Sequence, residues 1–322
     1  MKPISPILSV IAVVLFVSLA ILPARAEAPL PGAAPPSASY VERVEVSLVV
    51  LHVTVLDQRG EPVPGLGPRD FLIREDGLPR KVSVFGSSAD QPVRVAFLLD
   101  VSGSMELLGK IDRAKEAIRL FAGTLLPEDE VALLIFADGQ VVVKLGFTSD
   151  RGALHRVLDG IEAYGRTALH DALAEAPFLL SATEPGRKAL VIVTDGVDNA
   201  SIVTNAEAIQ IARSAPVPIF AIGLADLPLE LRTEARPAGG PRSLFETLTE
   251  FTDGTGGEMV IAFGPKEIQA AVDRLGQRLR GQYIVGYAPA PSGDLPGFHR
   301  IEVRTKDRHH RILARKGYNT SP

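Results

Sequence analysis

The chain has 322 residues, of which 46% are hydrophobic and 22% are charged, and it contains no cysteine. This composition is ordinary for a globular protein with one large and one smaller domain. The lack of cysteine excludes disulfide bonds, thiolate metal sites, cysteine nucleophiles and lipoprotein anchoring. Because 38 acidic residues outnumber 34 basic ones, a nucleic-acid backbone or an anionic membrane is not expected as the main partner.

Residues 1–26 have the pattern of a signal peptide. Lys2 supplies a small basic region, Ile7–Leu22 is almost wholly apolar, and Ala24-Arg25-Ala26 has the small residues that a signal peptidase reads. We expect cleavage after Ala26 and export to the periplasm or out of the cell. The alternative is an uncleaved anchor, because the length of the apolar run lies between that of a signal and that of a spanning helix. No membrane span is expected in the mature chain.

The next two segments are a linker and a small β unit. Residues 27–39 include "APLPGAAPPSAS", which is rich in Pro, Ala and Ser and indicates a flexible linker. Residues 40–91 contain "VEVSLVVLHVTVLD", which is dense in β-branched residues, and "FLIREDGLPRKVSVF", which predicts two strands joined at Asp76-Gly77. This N-terminal β unit has too few strands to form a stable core alone.

From Pro92 to Arg280 strands and helices alternate. Val93–Leu99 is a continuous apolar strand, and apolar residues from Leu107 onward recur at helical spacing. Two further apolar runs flank Asp138-Gly139, which indicates a hairpin. Alternating elements with continuous apolar strands predict an α/β fold, with a doubly wound and mostly parallel sheet covered by helices on both faces.

Residues 281–322 return to a strand pattern. The segments "QYIVGYAP", "FHRIEVRTK" and "RILARKGY" predict three strands separated by turns. Chain ends tend to lie close together at a domain surface. We therefore expect this C-terminal β unit to pair with residues 40–91 into one small β-sandwich, with the α/β domain inserted between them. Two separate flanking hairpin units are the alternative.

The loop after the first strand of the α/β domain has the residues of a metal site. In an extended loop the side chains of Asp100, Ser102 and Ser104 point the same way. One carboxylate and two hydroxyls suit a hard divalent cation such as Mg²⁺ or Mn²⁺ rather than zinc or copper. Ligands of doubly wound sheets bind at the carboxyl ends of the strands, and Asp100 ends the first strand.

Two more candidate ligands lie on other loops. The apolar strand "ALVIVTD" ends with Asp195, and "YGRTALHDAL" places Thr167 near the start of a helix, after Gly165. Each is weak alone, because a Thr before a helix is usually an N-cap and an Asp before Gly is often only a turn. Together with Asp100, Ser102 and Ser104, however, they form a set of oxygen donors on three loops.

The motifs together resemble a known family. "FLLDVSGSM", "ALLIFAD", "GRTALHDAL" and "VIVTDGVDN", in that order, are similar to a von Willebrand factor type A domain with an intact metal-ion-dependent adhesion site. The resemblance covers residues 92–280. The flanking β segments resemble a bacterial class of exported proteins that are related to type A domains.

The resemblance implies a role for each site residue. Asp100, Ser102, Ser104, Thr167 and Asp195 would bind Mg²⁺ or Mn²⁺, and none of the five departs from the family pattern. The electron-poor metal would take its last ligand from an Asp or Glu carboxylate of a protein partner. The implied function is therefore metal-dependent docking or adhesion by an exported protein, without catalysis.

Two alternatives belong to other classes of function. A Mg²⁺-dependent hydrolase such as a phosphohydrolase also has an Asp after the first strand, but it needs a second acid-base residue where Ser102 lies. The Gly-x-Ser-x-Gly turn of serine hydrolases is not found, and the six histidines show no metal spacing. The second alternative is a structural envelope protein in which the metal only stabilises the loop.

Two segments are candidates for shaping or transmitting binding. Leu224–Arg242 follows a strand and is expected at the edge of the sheet that carries the metal site, where it either shapes partner choice or is merely a flexible loop. The helix expected at Pro265–Arg280 leads into the terminal strands. Related domains shift this helix when they bind a ligand, but the sequence indicates only the connection.

Overall fold

The computed structural model describes residues 48–87, 91–184, 186–196, 198–226, 244–289 and 297–320. The predicted signal peptide, the predicted linker and the beginning of the N-terminal β unit lie outside these residues. Within them, no helix combines the length and the apolar character that a membrane crossing requires.

The described residues form strands and helices in two groups. The strands are β1 (Val49–Leu56), β2 (Phe71–Glu75), β3 (Leu78–Arg80), β4 (Val82–Ser87), β5 (Val93–Asp100), β6 (Glu130–Ala137), β7 (Gln140–Thr148), β8 (Arg187–Thr194), β9 (Ile219–Leu224), β10 (Met259–Ala262), β11 (Gln282–Tyr287), β12 (Gly297–Thr305), β13 (Arg311–Leu313) and β14 (Gly317–Thr320). The helices are α1 (Lys110–Gly123), α2 (Arg151–Asp159), α3 (Leu169–Ser181), α4 (Asn205–Ser214), α5 (Leu244–Thr255) and α6 (Pro265–Arg280).

The central sheet has the strand order β10-β9-β8-β5-β6-β7. Neighbouring strands are parallel from β10 to β6, and only β7 is antiparallel, because the turn at Asp138-Gly139 joins it directly to β6. The predicted α/β fold with a mostly parallel sheet is therefore confirmed.

Alternate residues of the central strands face two separate cores. On β5, Val95 and Phe97 pack in the core that includes residues of α1, α2 and α6. Ala96 and Leu98 face the opposite core, which includes residues of α3, α4 and α5. Burial on both faces explains why this strand is an unbroken apolar run in the sequence.

The strands before and after the α/β domain form two four-stranded sheets, in the orders β13-β1-β11-β4 and β14-β12-β2-β3. β1 pairs with β11 and β2 pairs with β12, both antiparallel, so each sheet combines strands from the two ends of the described chain. Between the sheets, the rings of Phe71, Phe85 and Tyr283 lie with their centroids 5.3 to 5.9 Å apart. The strands that precede the α/β domain thus complete both sheets only by pairing with the strands that follow it.

One buried carboxylate links the two sheets. Glu75 on β2 is 2% exposed and accepts hydrogen bonds from the hydroxyls of Tyr287, at 3.0 Å, and Tyr318, at 2.8 Å. It also forms an ion pair with Arg80, at 2.9 Å. A charge buried in this way is stabilised by its several hydrogen bonds.

The last predicted strand, residues 311–318, is divided into β13 and β14. The interruption arises because Arg315 forms an isolated bridge with Thr255 at the end of α5. Gly256, with φ +90°, lies against the backbone of Ala314 and Arg315 so closely that a Cβ would clash. The interrupted segment therefore contacts the α/β domain instead of continuing a sheet.

The third predicted strand of the N-terminal β unit, after the turn at Asp76-Gly77, is also divided. β3 pairs with β2, whereas β4 pairs with β11 in the other sheet. Lys81 separates the two strands. The sequence shows the turn at Asp76-Gly77 but gives no local sign of this change of sheet.

Candidate metal site

The five predicted site residues lie at the carboxyl edge of the parallel strands. Asp100 ends β5, and Asp195 directly follows β8, the neighbouring strand. The loop that carries Thr167 contacts the loop after β5: Gly103 N–H donates to the Gly165 carbonyl at 2.9 Å. The structure thus brings the three loops together.

Asp100 is fully buried and is held by neutral hydrogen-bond donors. Its Oδ1 accepts from the Ser102 N–H at 2.8 Å, and its Oδ2 accepts from the Thr194 hydroxyl at 2.5 Å. Burial raises the pKa of Asp100 to about 6, and the hydrogen bonds from Thr194 and Ser102 oppose that rise. Burial therefore disfavours the ionised form of Asp100.

The two serines connect Asp100 to Asp195. The Ser102 and Ser104 hydroxyl oxygens are 3.1 Å apart, and the Ser104 hydroxyl donates to Asp195 Oδ1 at 2.8 Å. Ser102 is 1% exposed. A row of hydroxyl and carboxylate oxygens thus runs from the end of β5 to the end of β8.

Thr167 lies beside Asp100 across a glycine. A Cβ on Gly196 would lie 3.1 Å from Asp100 Oδ2 and 3.2 Å from the Thr167 hydroxyl oxygen, so both oxygens border the same small space. α3 begins at Leu169, so Thr167 precedes this helix. The Asn199 side chain accepts from the Thr167 N–H at 3.1 Å, and the Asn199 N–H donates to the Thr167 carbonyl at 3.0 Å. Thr167 is therefore fixed by the loop after β8.

Lys110 also belongs to the site, although the sequence pattern did not indicate it. Its Nζ lies 2.6 Å from Asp195 Oδ2 and 3.0 Å from Asp226 Oδ2. Burial alone would lower the pKa of Lys110, but the hydrogen bonds to Asp195 and Asp226 raise it. We predicted regular helix from Leu107, but α1 begins only at Lys110. A helix that started at Leu107 would have Lys110 in its interior. In the structure Lys110 instead directly follows a turn at the site.

Asp226 connects this cation to the end of β9. Arg113 donates to Asp226 Oδ1 at 3.2 Å and to the Phe263 carbonyl at 2.9 Å. Asp226 therefore holds Lys110 and Arg113 together at the same edge of the sheet. Most of Leu224–Arg242, the segment predicted to shape partner choice, lies outside the described residues.

The donor set fits a hard divalent cation. It consists of two carboxylates and three hydroxyls, which are the oxygen ligands that Mg²⁺ and Mn²⁺ prefer. In the part of the chain that the structure describes, no group of three or more His, Cys, Asp or Glu side chains could hold a metal. Any cation here must therefore depend on hydroxyl ligands, as the Asp-x-Ser-x-Ser pattern suggests.

A comparison with family models identifies the domain. Residues 95–197 match the model of the von Willebrand factor type A domain. This segment contains all five predicted site residues, and the chain carries a type A domain, as the sequence motifs predicted. A domain of this type indicates a protein-interaction or adhesion module.

Relatives and solved structures with similarity to the chain are distant. An uncharacterized protein of Borreliella burgdorferi is 27% identical over 179 residues, which are 51% of this chain and 52% of that protein, so the chain spans about half the length of this curated relative. The conserved hypothetical protein BatB of Bacteroides thetaiotaomicron is 21% identical, with a TM-score of 0.45, over 58% of this chain and 98% of that one. A von Willebrand factor type A protein of Catenulispora acidiphila is 14% identical, with a TM-score of 0.48, over 84% of this chain and 74% of that one.

Proposed function

We propose that the chain is an exported protein-docking module that depends on a divalent cation. The observation that carries this proposal is the convergence of five oxygen donors from three loops. Asp100, Ser102, Ser104, Thr167 and Asp195 would hold Mg²⁺ or Mn²⁺, and the cation would offer a coordination position to a partner's Asp or Glu carboxylate.

The side chains of the site would supply two kinds of ligand, neutral hydroxyls and charged carboxylates. The hydroxyls of Ser102, Ser104 and Thr167 supply neutral oxygens, so only Asp100 and Asp195 bring negative charge. Lys110 neutralises part of the charge of Asp195. A site with so little net negative charge leaves a cation electron-poor, which favours an additional anionic ligand from a partner.

The proposal assigns no catalytic residue. Ser102 lies where a phosphohydrolase of this architecture would need its acid-base carboxylate, and Asp100 contacts backbone and hydroxyl donors rather than a base. Activation of a nucleophile requires a base within hydrogen-bond reach. Docking needs only an open position on the metal, and for this reason we favour it over hydrolysis.

The domain arrangement and the export route are part of the same proposal. We assign residues 1–26 to a signal peptide, 27–39 to a linker, 92–280 to the type A domain, and 40–91 with 281–322 to the β-sandwich. The pairing of β1 with β11 and of β2 with β12 supports the last assignment. The mature chain would then act in the periplasm or outside the cell.

The test is a calorimetric titration of the mature chain, from Glu27 onward, with Mg²⁺ and Mn²⁺. One binding site is expected, and Asp100→Asn and Ser102→Ala should each weaken it by more than about tenfold, because each removes a ligand oxygen. Asp112→Asn and Ser83→Ala are the matched controls, since both residues are exposed and lie outside the site.

A urea unfolding series in EDTA separates loss of ligand from loss of fold. Asp100→Asn should be at least as stable as the wild type without metal, because it replaces a buried carboxyl whose ionised form is destabilised. If the wild type takes up no metal, or if both site variants bind it normally, the proposed function is wrong.

A further inference from the structure

A small cavity lies beside the middle of β1. This strand pairs with β13 from Thr54 to Leu56, and the chain after β13 then turns away to form the isolated bridge between Arg315 and Thr255. The cavity beside this turn has a volume of about 10 Å³, which is room for one water-sized molecule or ion. Its lining includes Leu51, His52, Pro216, Pro218, Thr255 and Arg315. We call it the His52 cavity.

The imidazole of His52 contributes an unused polar atom. Its Nδ1 is buried and has no hydrogen-bond partner within the described residues. Buried polar atoms of folded proteins are almost always hydrogen-bonded, to the protein or to a bound species, so this atom requires an explanation. Because a neutral imidazole carries its proton on either nitrogen, Nδ1 can donate a hydrogen bond to an acceptor beside it.

Arg315 contributes a buried positive charge. The residue is 8% exposed, its guanidinium carbon lies 5.6 Å from the centre of the Tyr318 ring, and it takes part in no ion pair among the described residues. Arg278, which is 3% exposed, is instead paired with Glu258 at 2.8 Å. A buried charge is costly unless an opposite charge or several hydrogen bonds compensate it. Arg315 therefore lacks the counter-charge that Arg278 has.

The electrostatic environment of the cavity is positive. The pKa of His52 is lowered to about 4, first by burial and then by the charges of Arg187 and Arg315. In the part of the chain that the structure describes, no acidic side chain lines the cavity. The two arginines therefore create a positive potential in this space, and its low-dielectric surround strengthens that potential. Such a potential stabilises an anion.

The hydrogen-bonding groups of the cavity also fit an anion better than a water molecule. The Thr255 hydroxyl already donates to the Phe251 carbonyl at 2.8 Å and accepts from the Ile219 N–H at 3.0 Å. The other polar side chains of the lining are His52 and Arg315, and a guanidinium group can only donate. A buried water both donates and accepts in about two to four hydrogen bonds, whereas a halide ion only accepts them.

We propose that the His52 cavity binds a chloride ion between His52 Nδ1 and the Arg315 guanidinium group. The volume suits a monatomic ion and excludes phosphate or sulfate. The anion balances the charge of Arg315 and fixes the segment after β13 against β1. It stabilises the folded chain by mass action, because the unfolded chain has no such site.

The chloride site is separate from the proposed cation site. Pro216 and Pro218 directly precede β9, and Thr255 precedes β10, so the cavity lies at the amino edge of the parallel sheet. The five proposed metal ligands lie at the carboxyl edge. Chloride binding and metal binding can therefore be tested independently of each other.

Thermal unfolding of the mature chain in EDTA tests this inference. Sodium gluconate, whose anion is too large for the cavity, is replaced stepwise by sodium chloride at constant ionic strength. The midpoint should rise by about 3 to 5 °C and then level off, as expected for roughly a tenfold excess of chloride over its dissociation constant. A general salt effect would not level off, and sulfate would then stabilise the chain more than chloride does.

Two pairs of variants separate the site from the rest of the molecule. His52→Leu and Arg315→Met each remove one contact to the anion, so the chloride-dependent rise should fall below about 1 °C. His155→Leu and Arg311→Met are the matched controls, because both residues are exposed, and they should keep the full rise. If Arg315→Met does not fold, His52→Leu still decides the question, because it exchanges the imidazole for an apolar group of similar volume.

Bromide locates the anion directly by its anomalous scattering. In crystals of the wild type grown with sodium bromide, a peak is expected between His52 and Arg315, and crystals of His52→Leu should lack it. Bromide bound only at the surface, or a water molecule in the cavity of these crystals, would overturn the inference. Equal chloride-dependent rises in the wild type and in His52→Leu would overturn it as well. None of these results concerns Mg²⁺, so the proposed function stands or falls by its own titration.

Discussion

The two edges of the central sheet carry buried charge in different ways. At the amino edge Glu258, which is 5% exposed, forms ion pairs with Arg278 at 2.8 Å and with Arg274 at 2.5 Å. At the carboxyl edge Asp100 is equally buried but receives hydrogen bonds from neutral donors, the Ser102 N–H and the Thr194 hydroxyl. The amino edge provides arginines for its carboxylate, whereas within the described residues no side-chain cation forms an ion pair with Asp100.

The pKa shifts of these carboxyls have opposite directions. Burial alone would raise the pKa of Glu258, but the hydrogen bonds from Arg274 and Arg278 lower it. At Asp100 burial dominates and raises the pKa. A carboxylate whose charge is compensated within the protein serves stability, while one that is left uncompensated can serve a cation from outside. The difference supports the proposed cation site at the carboxyl edge.

The amino edge also joins the two parts of the fold. Arg278 donates to the Gly60 carbonyl at 2.5 Å, and its own carbonyl accepts from the Thr54 hydroxyl at 3.4 Å. α6 therefore connects the parallel sheet with the loop after β1 and with β1 itself. The charged groups at this edge act as structural links between the parallel sheet and the strands that flank it in sequence.

The largest expected effect is a loss of stability when the ion pair at the amino edge is broken. Arg278→Met should lower the free energy of unfolding by about 3 to 5 kcal/mol, because it leaves Glu258 buried with only one arginine. Urea unfolding at pH 7 in EDTA measures this loss. The control is Arg274→Met, whose arginine is 49% exposed, and which should cost no more than about 1 kcal/mol.

Metal affinity is the second readout for this pair of variants. While the chain is folded, the affinity of Arg278→Met for Mg²⁺ should remain within about twofold of the wild type, because the substitution lies at the opposite edge of the sheet. Equal destabilisation by the two arginine variants would contradict the assignment of Glu258 and Arg278 as the stabilising pair.

The next largest effect is a pH dependence at the same edge. Burial lowers the pKa of His52 to about 4, helped by the positive charges of Arg187 and Arg315, and its Nδ1 has no hydrogen-bond partner within the described part of the chain. Between pH 6.5 and pH 4 the unfolded chain therefore binds a proton that the folded chain does not. The free energy of unfolding that depends on His52 is therefore at its maximum above pH 6.5. It should fall by about 2 to 3 kcal/mol towards pH 4.

The contribution of His52 is measured as a difference between variants. His52→Gln cannot titrate, so the loss of stability between pH 6.5 and pH 4 in EDTA should be smaller than in the wild type. His155→Gln is the control, because this residue is exposed on α2, and its profile should follow the wild type. A His52→Gln profile parallel to the wild type would show that another group causes the fall.

Periodicity predicts the fold of the α/β domain well because burial on both faces leaves unbroken apolar runs such as Val93–Leu99. It fails for β3 and β4, which belong to different sheets although they are adjacent in sequence. It also fails at Arg315, where contact with Thr255 interrupts the predicted strand. Both failures depend on contacts between residues far apart in the chain, and no local pattern carries that information.

The residues of the site also differ in whether a local sequence pattern or a contact between distant residues places them there. Asp100, Ser102 and Ser104 are found from their alternate spacing at a strand end, and Asp195 from the end of a neighbouring strand. Lys110 could not be found in this way, since its contact with Asp195 depends on the left-handed turn that precedes α1. A left-handed leucine such as Leu108, before the left-handed Gly109, has no clear signature in a single sequence.

The smallest expected effect concerns Lys110, the one cation that contacts a predicted ligand carboxylate in the described residues. Its ammonium group lies 2.6 Å from Asp195 Oδ2 and so competes with a divalent cation for the same carboxylate. Lys110→Met keeps the length of the side chain and removes its charge. Affinity for Mg²⁺ should rise by about tenfold, since repulsion between two partly shielded cations is relieved.

Calorimetry on Lys110→Met checks this expectation at two salt concentrations. The gain should shrink at high salt, because screening already weakens the repulsion. Lys266→Met, at an exposed position on α6, is the control and should bind as the wild type does. A weaker affinity in Lys110→Met would mean that Lys110 mainly positions Asp195. The carboxyl edge would then resemble the amino edge, where a cation completes the carboxylate instead of competing for it.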